Sequence, residues 1–342
     1  MHRTARAVLG FVSRQSFVIS LLVTVAIASL LPARGGFAVV VDHATTVAIG
    51  LLFFLYGARL SPRDAWEGLR HWRLHLTVVV ATFVVFPVLG LAGHLLAPTV
   101  LTPELAAGLT FLCCLPSTVQ SSIAFTSVAR GNVAAAICAA SFSNLLGIVV
   151  SPLLVALLLA TRGGFSGQAV LDVALQLLLP FVLGQLARPW IAGFVARHRT
   201  ILGLVDRGSI LLVVYSAFGE GVVDGVWHRV SATALLALVG VEVVLLGIVL
   251  VLTWYAGRAI GLPREDQVTI MFCGSKKSLA SGLPMAGVLF AGPVVGLIVL
   301  PLMLYHQLQL MVCAALAQRL AGRAVGDAED RPARGEPARA AS

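Results

Sequence analysis

Apolar runs long enough to span a membrane follow one another along almost the whole chain, separated by short breaks with charged residues, proline or glycine. Because a helix needs about 20 apolar residues to cross a bilayer, this pattern predicts an all-α integral membrane protein. A basic start before a short apolar run is also typical of a secretory signal peptide, but the many later runs favour a first membrane helix. The ten predicted transmembrane helices are 16–31, 42–58, 74–97, 104–128, 132–160, 168–187, 205–222, 231–256, 266–291 and 293–317.

The composition agrees with a chain that is surrounded mostly by lipid. Hydrophobic residues make up 58% of the sequence, charged residues make up 11%, and the mean hydropathy is +0.96. These values lie far outside the range of soluble domains. The five cysteines lie within apolar runs and show no CxxC spacing, so we expect buried thiols rather than disulfides or a zinc site.

Arginines are distributed unevenly between the predicted loops. With a cytoplasmic N-terminus, 19 of the 22 arginines lie on the cytoplasmic side, and only Arg34, Arg162 and Arg229 lie on the other side. The positive-inside rule predicts this asymmetry for an even number of spans in the cell membrane, with both termini cytoplasmic. It also explains the net charge of +9 without a nucleic acid partner. The tail 322–342 is rich in proline, alanine and charge, so we expect it to be disordered in the cytoplasm.

The ten predicted helices divide into two sets of five, at 1–160 and 161–321. An odd number of helices per set gives the sets opposite orientations, which is the inverted-repeat plan of many secondary transporters. The fourth helix of each set is interrupted, by Leu115-Pro116-Ser117-Thr118 in helix 4 and by Gly274-Ser275-Lys276-Lys277-Ser278 in helix 9. Matching breaks predict a binding site near the membrane midplane. The alternative is that the breaks serve only helix packing.

Polar side chains crowd around both breaks. They are Ser117, Thr118, Gln120, Ser121 and Ser122 on helix 4, Ser141, Ser143 and Asn144 on helix 5, and Ser275 and Ser278 on helix 9. Backbone groups freed by a break need partners, so such turns occur in membranes where they line a cavity or lie inside protein. Hydroxyls, amides and free carbonyls can bind a small cation or hydrogen-bond a polar solute. The alternative is that the serines and threonines only aid packing.

Lys276 and Lys277 are the only two lysines of the chain, and both lie in the middle of helix 9. A charged side chain at the bilayer centre costs about 2.5–3.5 kcal/mol, so a compensating interaction is expected. Unlike arginine, lysine can change its protonation state when it is buried. We therefore predict that at least one lysine serves substrate binding or ion coupling. The alternative is that a lysine snorkels or pairs with a helix-end carbonyl for stability alone.

Two further ionisable residues are predicted to lie within the membrane. Glu242 in helix 8 is a candidate counter-ion for a lysine or a proton carrier, and His306 in helix 10 is a candidate site residue.

Five motifs of the chain are shared with one known family. They run from Cys113 to Asn132, from Asn144 to Ile148, from Phe272 to Leu279, from Gly282 to Met285 and from Leu304 to Gln307. In these motifs the chain resembles the bile acid:sodium symporter family, especially the branch of solute carrier family 10 member 7 and its bacterial SBF-like relatives. The resemblance implies a panel domain of helices 1, 2, 6 and 7 and a core domain of helices 3 to 5 and 8 to 10. The broken helices 4 and 9 would cross at the substrate site, and substrate would move by alternating access.

The chain departs from this family at the ion sites. Cys273 and Lys277 align with a glutamate and a glutamine of sodium-coupled members, and Ala136 and Ala140 align with ion-binding hydroxyls on helix 5. The ammonium of Lys277 would take the place of a sodium ion, which argues against two-sodium coupling. The remaining candidate for a sodium site lies near Ser121, Ser122, Ser141 and Asn144.

Together these features predict a secondary transporter of a small organic anion rather than an enzyme, with the bilayer and that solute as its partners and no cofactor. Coupling to H+, or replacement of the coupling ion by Lys277, is expected instead of ordinary Na+ coupling. One alternative is a membrane regulator of ion homeostasis that carries no solute. Another is an intramembrane hydrolase that uses Ser275 or Ser278 with a neutral lysine as base, although no oxyanion-hole motif is evident.

Overall fold

The computed structural model describes residues 16–59, 71–95, 100–159, 167–225, 228, 230–290 and 292–329, and all regular elements within these ranges are helices. The prediction of an all-α protein is confirmed. In chain order the elements are α1 (Ser16–Leu30), α2 (Gly36–Arg59), α3 (Trp72–Val80), a π-helical turn (Ala81–Val85), α4 (Phe86–Leu95), α5 (Pro103–Cys114), α6 (Val119–Val128), α7 (Val133–Leu159), α8 (Gly167–Arg197), α9 (Arg199–Val223), α10 (Ala232–Ala259), α11 (Arg264–Gly274), α12 (Leu279–Leu289) and α13 (Val295–Glu329).

Each predicted span overlaps one helix, the continuous run from α3 to α4, or one of the broken pairs α5–α6 and α11–α12. In the described part of the chain, seven spans are long and apolar enough to cross a membrane, and the α5–α6 pair, bent by 64°, can make an eighth. The chain is therefore a multi-pass membrane protein, and the count of ten remains a prediction. The predicted tail begins inside α13, which extends to Glu329, and 330–342 lie outside the described residues.

Helices α1, α2, α8 and α9 form one packed group. In it, α2 packs along α8 and α1 packs along α9. The α2–α8 contact is close because Gly57 and Gly184 face the opposite backbone, where a Cβ atom would collide with the carbonyl oxygen of Phe181 or Phe54. Glycine permits such close approach between membrane helices. This group, called the panel below, contains the helices that the resemblance assigns to a panel domain.

The remaining helices form a second group, called the core below, around the two broken pairs. In the core, α5 packs against α4 and α13, and α11 packs against α10 and α7. In the numbering of the predicted helices, α4 and α13 belong to helices 3 and 10, and α10 and α7 belong to helices 8 and 5. The predicted repeat relates helix 3 to helix 8 and helix 10 to helix 5, so the two sets of neighbours are equivalent. The inverted repeat, with opposite orientations of its halves in the membrane, remains a prediction. Large apolar side chains such as Leu30, Trp190 and Leu236 are exposed, as expected for a surface that faces lipid.

The two breaks have different local causes. In the first, Pro116 lacks a backbone N–H and disfavours a helical residue before it, so Leu115 ends α5 in an extended conformation with a ψ angle of 156°. The second break contains no proline. There Ser278 is extended, with a ψ angle of 108°, and its Oγ accepts a hydrogen bond from the N–H of Ser281 at the start of α12.

Candidate functional site

The two breaks lie against each other and satisfy each other's backbone. The N–H of Ser278 donates to the carbonyl of Pro116 at 2.8 Å. In return, Ser117 Oγ donates to the carbonyl of Cys273 at 2.5 Å, and Thr118 Oγ1 donates to the carbonyl of Lys277 at 3.1 Å. Backbone groups that a continuous helix would have paired internally are thus paired across the two breaks.

Helix α7 joins both breaks through Asn144. Its Nδ2 donates to the carbonyl of Ser117 at 2.6 Å, and its Oδ1 accepts from Ser281 Oγ at 2.8 Å. The neighbouring Ser143 accepts the N–H of Ser117 at 3.1 Å, and farther along α6 Ser122 Oγ donates to the carbonyl of Phe272. Polar residues that the sequence grouped around the breaks therefore fix the geometry of the breaks.

The ammonium of Lys277 lies in a cage of three backbone carbonyls. Its Nζ donates to the carbonyls of Cys113 and Leu115, each at 2.7 Å, and to the carbonyl of Thr82 at 2.9 Å. The ring of Phe86 lies 4.0 Å from Nζ on a further side. An ammonium has three N–H donors, so this cage satisfies all of them. The side chain is fully buried.

Local helix chemistry explains why these carbonyls are free. In a continuous helix the carbonyl of Cys113 would accept the N–H of Ser117, but that N–H is bonded to Ser143 Oγ instead. In the π-helical turn, the N–H of Phe86 donates to the carbonyl of Ala81, and the next residue, Pro87, has no N–H to offer Thr82. The break and the π-helical turn together expose the acceptors that hold Lys277.

Gln309 of α13 clamps the backbone of Lys277. Its Oε1 accepts the N–H of Lys277 and its Nε2 donates to the carbonyl of Lys277, both at 2.9 Å. A backbone N–H can only donate, so this pair fixes the orientation of the Gln309 amide. The same Nε2 also lies 2.9 Å from Nδ1 of His306, so the clamp is in contact with this histidine.

Lys276 has very different surroundings, although it is also fully buried. Within the described residues its Nζ has no hydrogen-bond partner. Instead Nζ lies 3.7 Å from the ring centre of Phe125 and 5.7 Å from that of Phe272. Lys277 Nζ thus lies among carbonyl oxygens, whereas Lys276 Nζ lies against aromatic rings.

A cavity of about 740 Å³ lies between the panel and the core. On the core side it is lined by the first residues of α6 and α12 and by α7, including Thr118, Ser141, Asn144, Ser278 and Ser281. The panel contributes apolar walls such as Phe53, Phe181 and Ile210, and a charged end formed by Arg59, Asp206 and Arg207. Arg59 is ion-paired with Asp206.

Two helix N-termini reach the cavity. Helix α6 begins at Val119 and α12 begins at Leu279, and residues of both first turns line the wall. Thr118 makes no side-chain cap on α6, because its hydroxyl donates to Lys277 instead. Helix N-termini carry partial positive charge, so both termini favour an anion in the cavity, and α6, which has no side-chain cap, leaves more of its N–H groups open than α12, where Ser278 caps Ser281.

The predicted site residues separate into three groups. Thr118, Ser141, Asn144 and Ser278 line the cavity, and Pro116, Ser117, Ser122, Ser275, Lys276, Lys277 and His306 lie in the polar interior behind it. Ser121 and Glu242 have buried side-chain oxygens without a hydrogen-bond partner among the described residues.

Glu242 forms no ion pair with either lysine in the described part of the chain, where the one ion pair joins Arg59 and Asp206. The predicted counter-ion role is therefore not seen in this state. The candidate sodium ligands are also divided, since Ser141 and Asn144 line the cavity while the hydroxyl of Ser122 is bonded to Phe272. A Ser/Lys pair for hydrolysis is not formed either, because Lys277 Nζ is bonded to carbonyls and Lys276 Nζ to no described residue.

Several residues of the site were missed by the sequence reasoning. Gln309 and Thr82 are uncharged polar residues within membrane-spanning segments and were not singled out by any motif or by charge. Arg59 and Arg207 were counted only as cytoplasmic arginines, and Asp206 was not considered, but all three line the cavity.

Comparisons with known proteins agree with this architecture. The chain is 55% identical over 310 residues to the Pseudomonas aeruginosa protein PA2026, covering 90% of this chain and 93% of that protein. It is 53% identical over 304 residues to YfeH of Escherichia coli, which is named as a candidate symporter, covering 89% and 92%. It is 28% identical over 314 residues to sodium/bile acid cotransporter 7 of Danio rerio, covering 89% and 93%.

The family resemblance found in the motifs is confirmed by a match over almost the whole chain. The sequence model of the SBF-like CPA transporter family matches residues 15–322, from the start of α1 to within α13. The family is one of transporters, and YfeH and sodium/bile acid cotransporter 7 carry transporter names, which also confirms the prediction that the chain is not an enzyme. The chain belongs to the SBF-like CPA transporter family.

Proposed function

We propose that the protein is a secondary active transporter that carries a small organic anion across the cell membrane by alternating access. The observation that carries this proposal is the cavity between panel and core, into which two half-helix N-termini point. Transporters bind substrates at such discontinuous helices, where helix ends supply charge without a charged side chain.

The charge of the cavity supports an anionic substrate. Both helix termini present partial positive charge. At the other end, Asp206 is paired with Arg59, and Arg207 has no ion pair within the described residues. Arg207 is therefore free to bind a carboxylate, sulfonate or phosphate in a bidentate manner.

The size and walls of the cavity support an organic body for this anion. About 740 Å³ is typical of pockets that hold small molecules, and most of the wall is apolar. Phe53, Phe142 and Phe181 supply aromatic surface from both the panel and the core. A small inorganic anion would leave this apolar volume unfilled.

Movement of the panel relative to the core would expose the cavity to the two sides of the membrane in turn. The face between the groups fits such sliding, since Gly287 of α12 leaves open space toward the panel, where a Cβ atom would stand 3.4–3.5 Å from side-chain carbons of Ile49 and Val213. The charged end contains Arg59 and Arg207, which the positive-inside rule places on the cytoplasmic side. This state is then the inward-facing one.

Lys277 takes the part of a fixed cation in this proposal. Its ammonium occupies a cage of three carbonyl oxygens, the ligand type that a hard cation such as Na+ prefers. A permanent positive charge there repels a metal ion and needs no ion to be bound. Substrate binding should therefore not depend on Na+ at this position.

The proposal is tested by a thermal-shift screen of the purified full-length protein with small carboxylates, sulfonates and organic phosphates. Each anion is paired with its neutral amide or ester analogue, and the screen is repeated with choline in place of Na+. We expect anions, and not their neutral analogues, to raise the melting temperature equally in both salts. Stabilisation by neutral analogues alone would contradict an anionic substrate.

Anions that pass the screen are then assayed for uptake into proteoliposomes. Binding that is followed by uptake supports a transporter. Binding without uptake, together with co-purification of a partner protein, would instead support a membrane regulator and would contradict the proposal.

A further inference from the structure

The two lysines at the second break are adjacent in sequence but differ in what surrounds their nitrogen atoms. Lys277 Nζ has three carbonyl acceptors within 2.9 Å. Lys276 Nζ has no acceptor among the described residues and contacts the faces of Phe125 and Phe272. We propose that Lys276 is the residue that binds and releases a proton in this site, while Lys277 keeps its proton as a fixed charge.

The number of hydrogen-bond acceptors around each Nζ atom distinguishes the roles of Lys276 and Lys277. An ammonium carries three donors, and each unpaired donor in a dry interior is costly. The cage of Lys277 matches the three donors of the charged form, and the free carbonyls would lose their partners if the proton left. A charged Lys276 would have only aromatic faces to stabilise it. The neutral amine fits the site of Lys276 in this state, and the ammonium requires a state in which water or an anion reaches it.

No carboxylate among the described residues pairs with Lys276, so a positive charge there would not be neutralised. The titratable groups that act on it are the thiol of Cys273 on its own helix, and His306 and the thiol of Cys313 on α13. From α6 the packed group is the uncharged ring of Phe125. His306 is a base and not an acid, so it supplies no negative charge to Lys276. Among the described residues, neither lysine is in an ion pair.

The position of Lys276 provides a route from the proton to the cavity. Its neighbour Lys277 is clamped through the backbone N–H and carbonyl by Gln309, which also holds His306. The same carbonyl accepts from Thr118, a residue of the cavity wall at the start of α6. A charge that appears on Lys276 acts within one residue of this junction, so protonation can favour one arrangement of the two breaks over another.

This route makes the transporter proton-linked, and that consequence rests on the proposed function. The assignment of Lys276 as the proton site does not rest on the proposed function. It concerns only which of two lysines changes its protonation state in the folded protein.

The composition of the chain makes a direct test practical. Full-length protein is prepared with 13C,15N-labelled lysine in lipid nanodiscs, and only two lysine spin systems are present because the chain has only two lysines. They can be assigned without a variant, since the amide nitrogen of Lys277 is the only one bonded to a lysine carbonyl. The Cε and Nζ signals are then followed as a function of pH, with the other lysine as the internal control.

We expect the Cε and Nζ signals of Lys276 to move from amine to ammonium values as the pH falls, while those of Lys277 keep ammonium values throughout. Titration of Lys277, of both lysines or of neither would overturn the assignment. Absence of solute uptake by the same preparation would reject the proposed function and leave a titrating Lys276 intact. A silent Lys276 in a preparation that transports would reject this inference alone.

Discussion

The two broken helices reach a similar shape by different means. The first break is caused by the local sequence, because Pro116 cannot continue α5 and forces Leu115 out of the helical region. The second has no proline and is held by partners from other helices, chiefly the cage around Lys277 and the clamp from Gln309. The first break is therefore a property of the local sequence, and the second depends on tertiary contacts. Removing the partners of the second break should lower stability more than removing Pro116.

The largest effect is expected from Lys277→Met. This change leaves the carbonyls of Thr82, Cys113 and Leu115 without their partner in a dry interior, which should cost about 3 kcal/mol or more. The matched control is Lys276→Met, which replaces a side chain without hydrogen-bond partners by an apolar one of similar length between two aromatic rings. We expect Lys276→Met to change stability by less than about 1 kcal/mol, or to raise it.

Thermal unfolding of both variants in the same detergent measures this difference. Equal losses for the two variants would show that the carbonyl cage does not hold the second break.

A smaller effect is expected from Gln309→Leu. The variant keeps the size of the side chain but removes both hydrogen bonds to the backbone of Lys277, which should cost about 2 kcal/mol. Gln307→Leu on the same helix is the control, because Gln307 is only partly buried and takes no part in the clamp. If the melting temperatures of the two variants fall by the same amount, the clamp has no special role.

Pro116→Ala should have a smaller effect still. The carbonyl of residue 116 can still accept the N–H of Ser278, and Ser117 can keep its bonds to Cys273 and Ser143. The expected loss is about 1 kcal/mol, from the packing of the proline ring against Gly147. Thermal unfolding is again the measurement, and a loss larger than that of Gln309→Leu would reverse the order proposed for the two breaks.

Arg207→Gln should leave both breaks and the stability unchanged within about 0.5 kcal/mol, because Arg207 is exposed on the cavity wall. Affinity for an anion should fall about tenfold through loss of one charge-assisted contact. Calorimetric titration with an anion from the thermal-shift screen measures this, and Arg197→Gln, exposed on α8 away from the cavity lining, is the control. Unchanged affinity in Arg207→Gln would show that the anion does not reach this end of the cavity.

The sequence predicted the helices and both breaks because their signals are local. Apolar runs mark membrane helices, Pro116 marks the first break, and Gly274 with two lysines in an apolar run marks the second. The position of Lys277 at an expected cation site came from the resemblance. For this lysine, pairing with helix-end carbonyls was the alternative drawn from the sequence, and it is the geometry that the structure has.

The partners of the lysines could not be predicted, because they are brought together from distant helices. The carbonyl of Thr82 is free only because a π-helical turn precedes Pro87, and nothing in the sequence distinguishes Gln309 from the nearby Gln307 until α13 packs against the second break. Glu242 is the opposite case. A buried carboxyl and two buried lysines suggested an ion pair, but α10 places Glu242 where it pairs with neither lysine in this state.

If Lys277 acts as a built-in cation, as proposed, transport of an organic anion needs no sodium ion. The most direct measurement is uptake of a screened anion into proteoliposomes of the full-length protein, compared in Na+ and in choline at the same pH and ionic strength. We expect equal initial rates in the two salts. Uptake that requires Na+ would contradict the proposal.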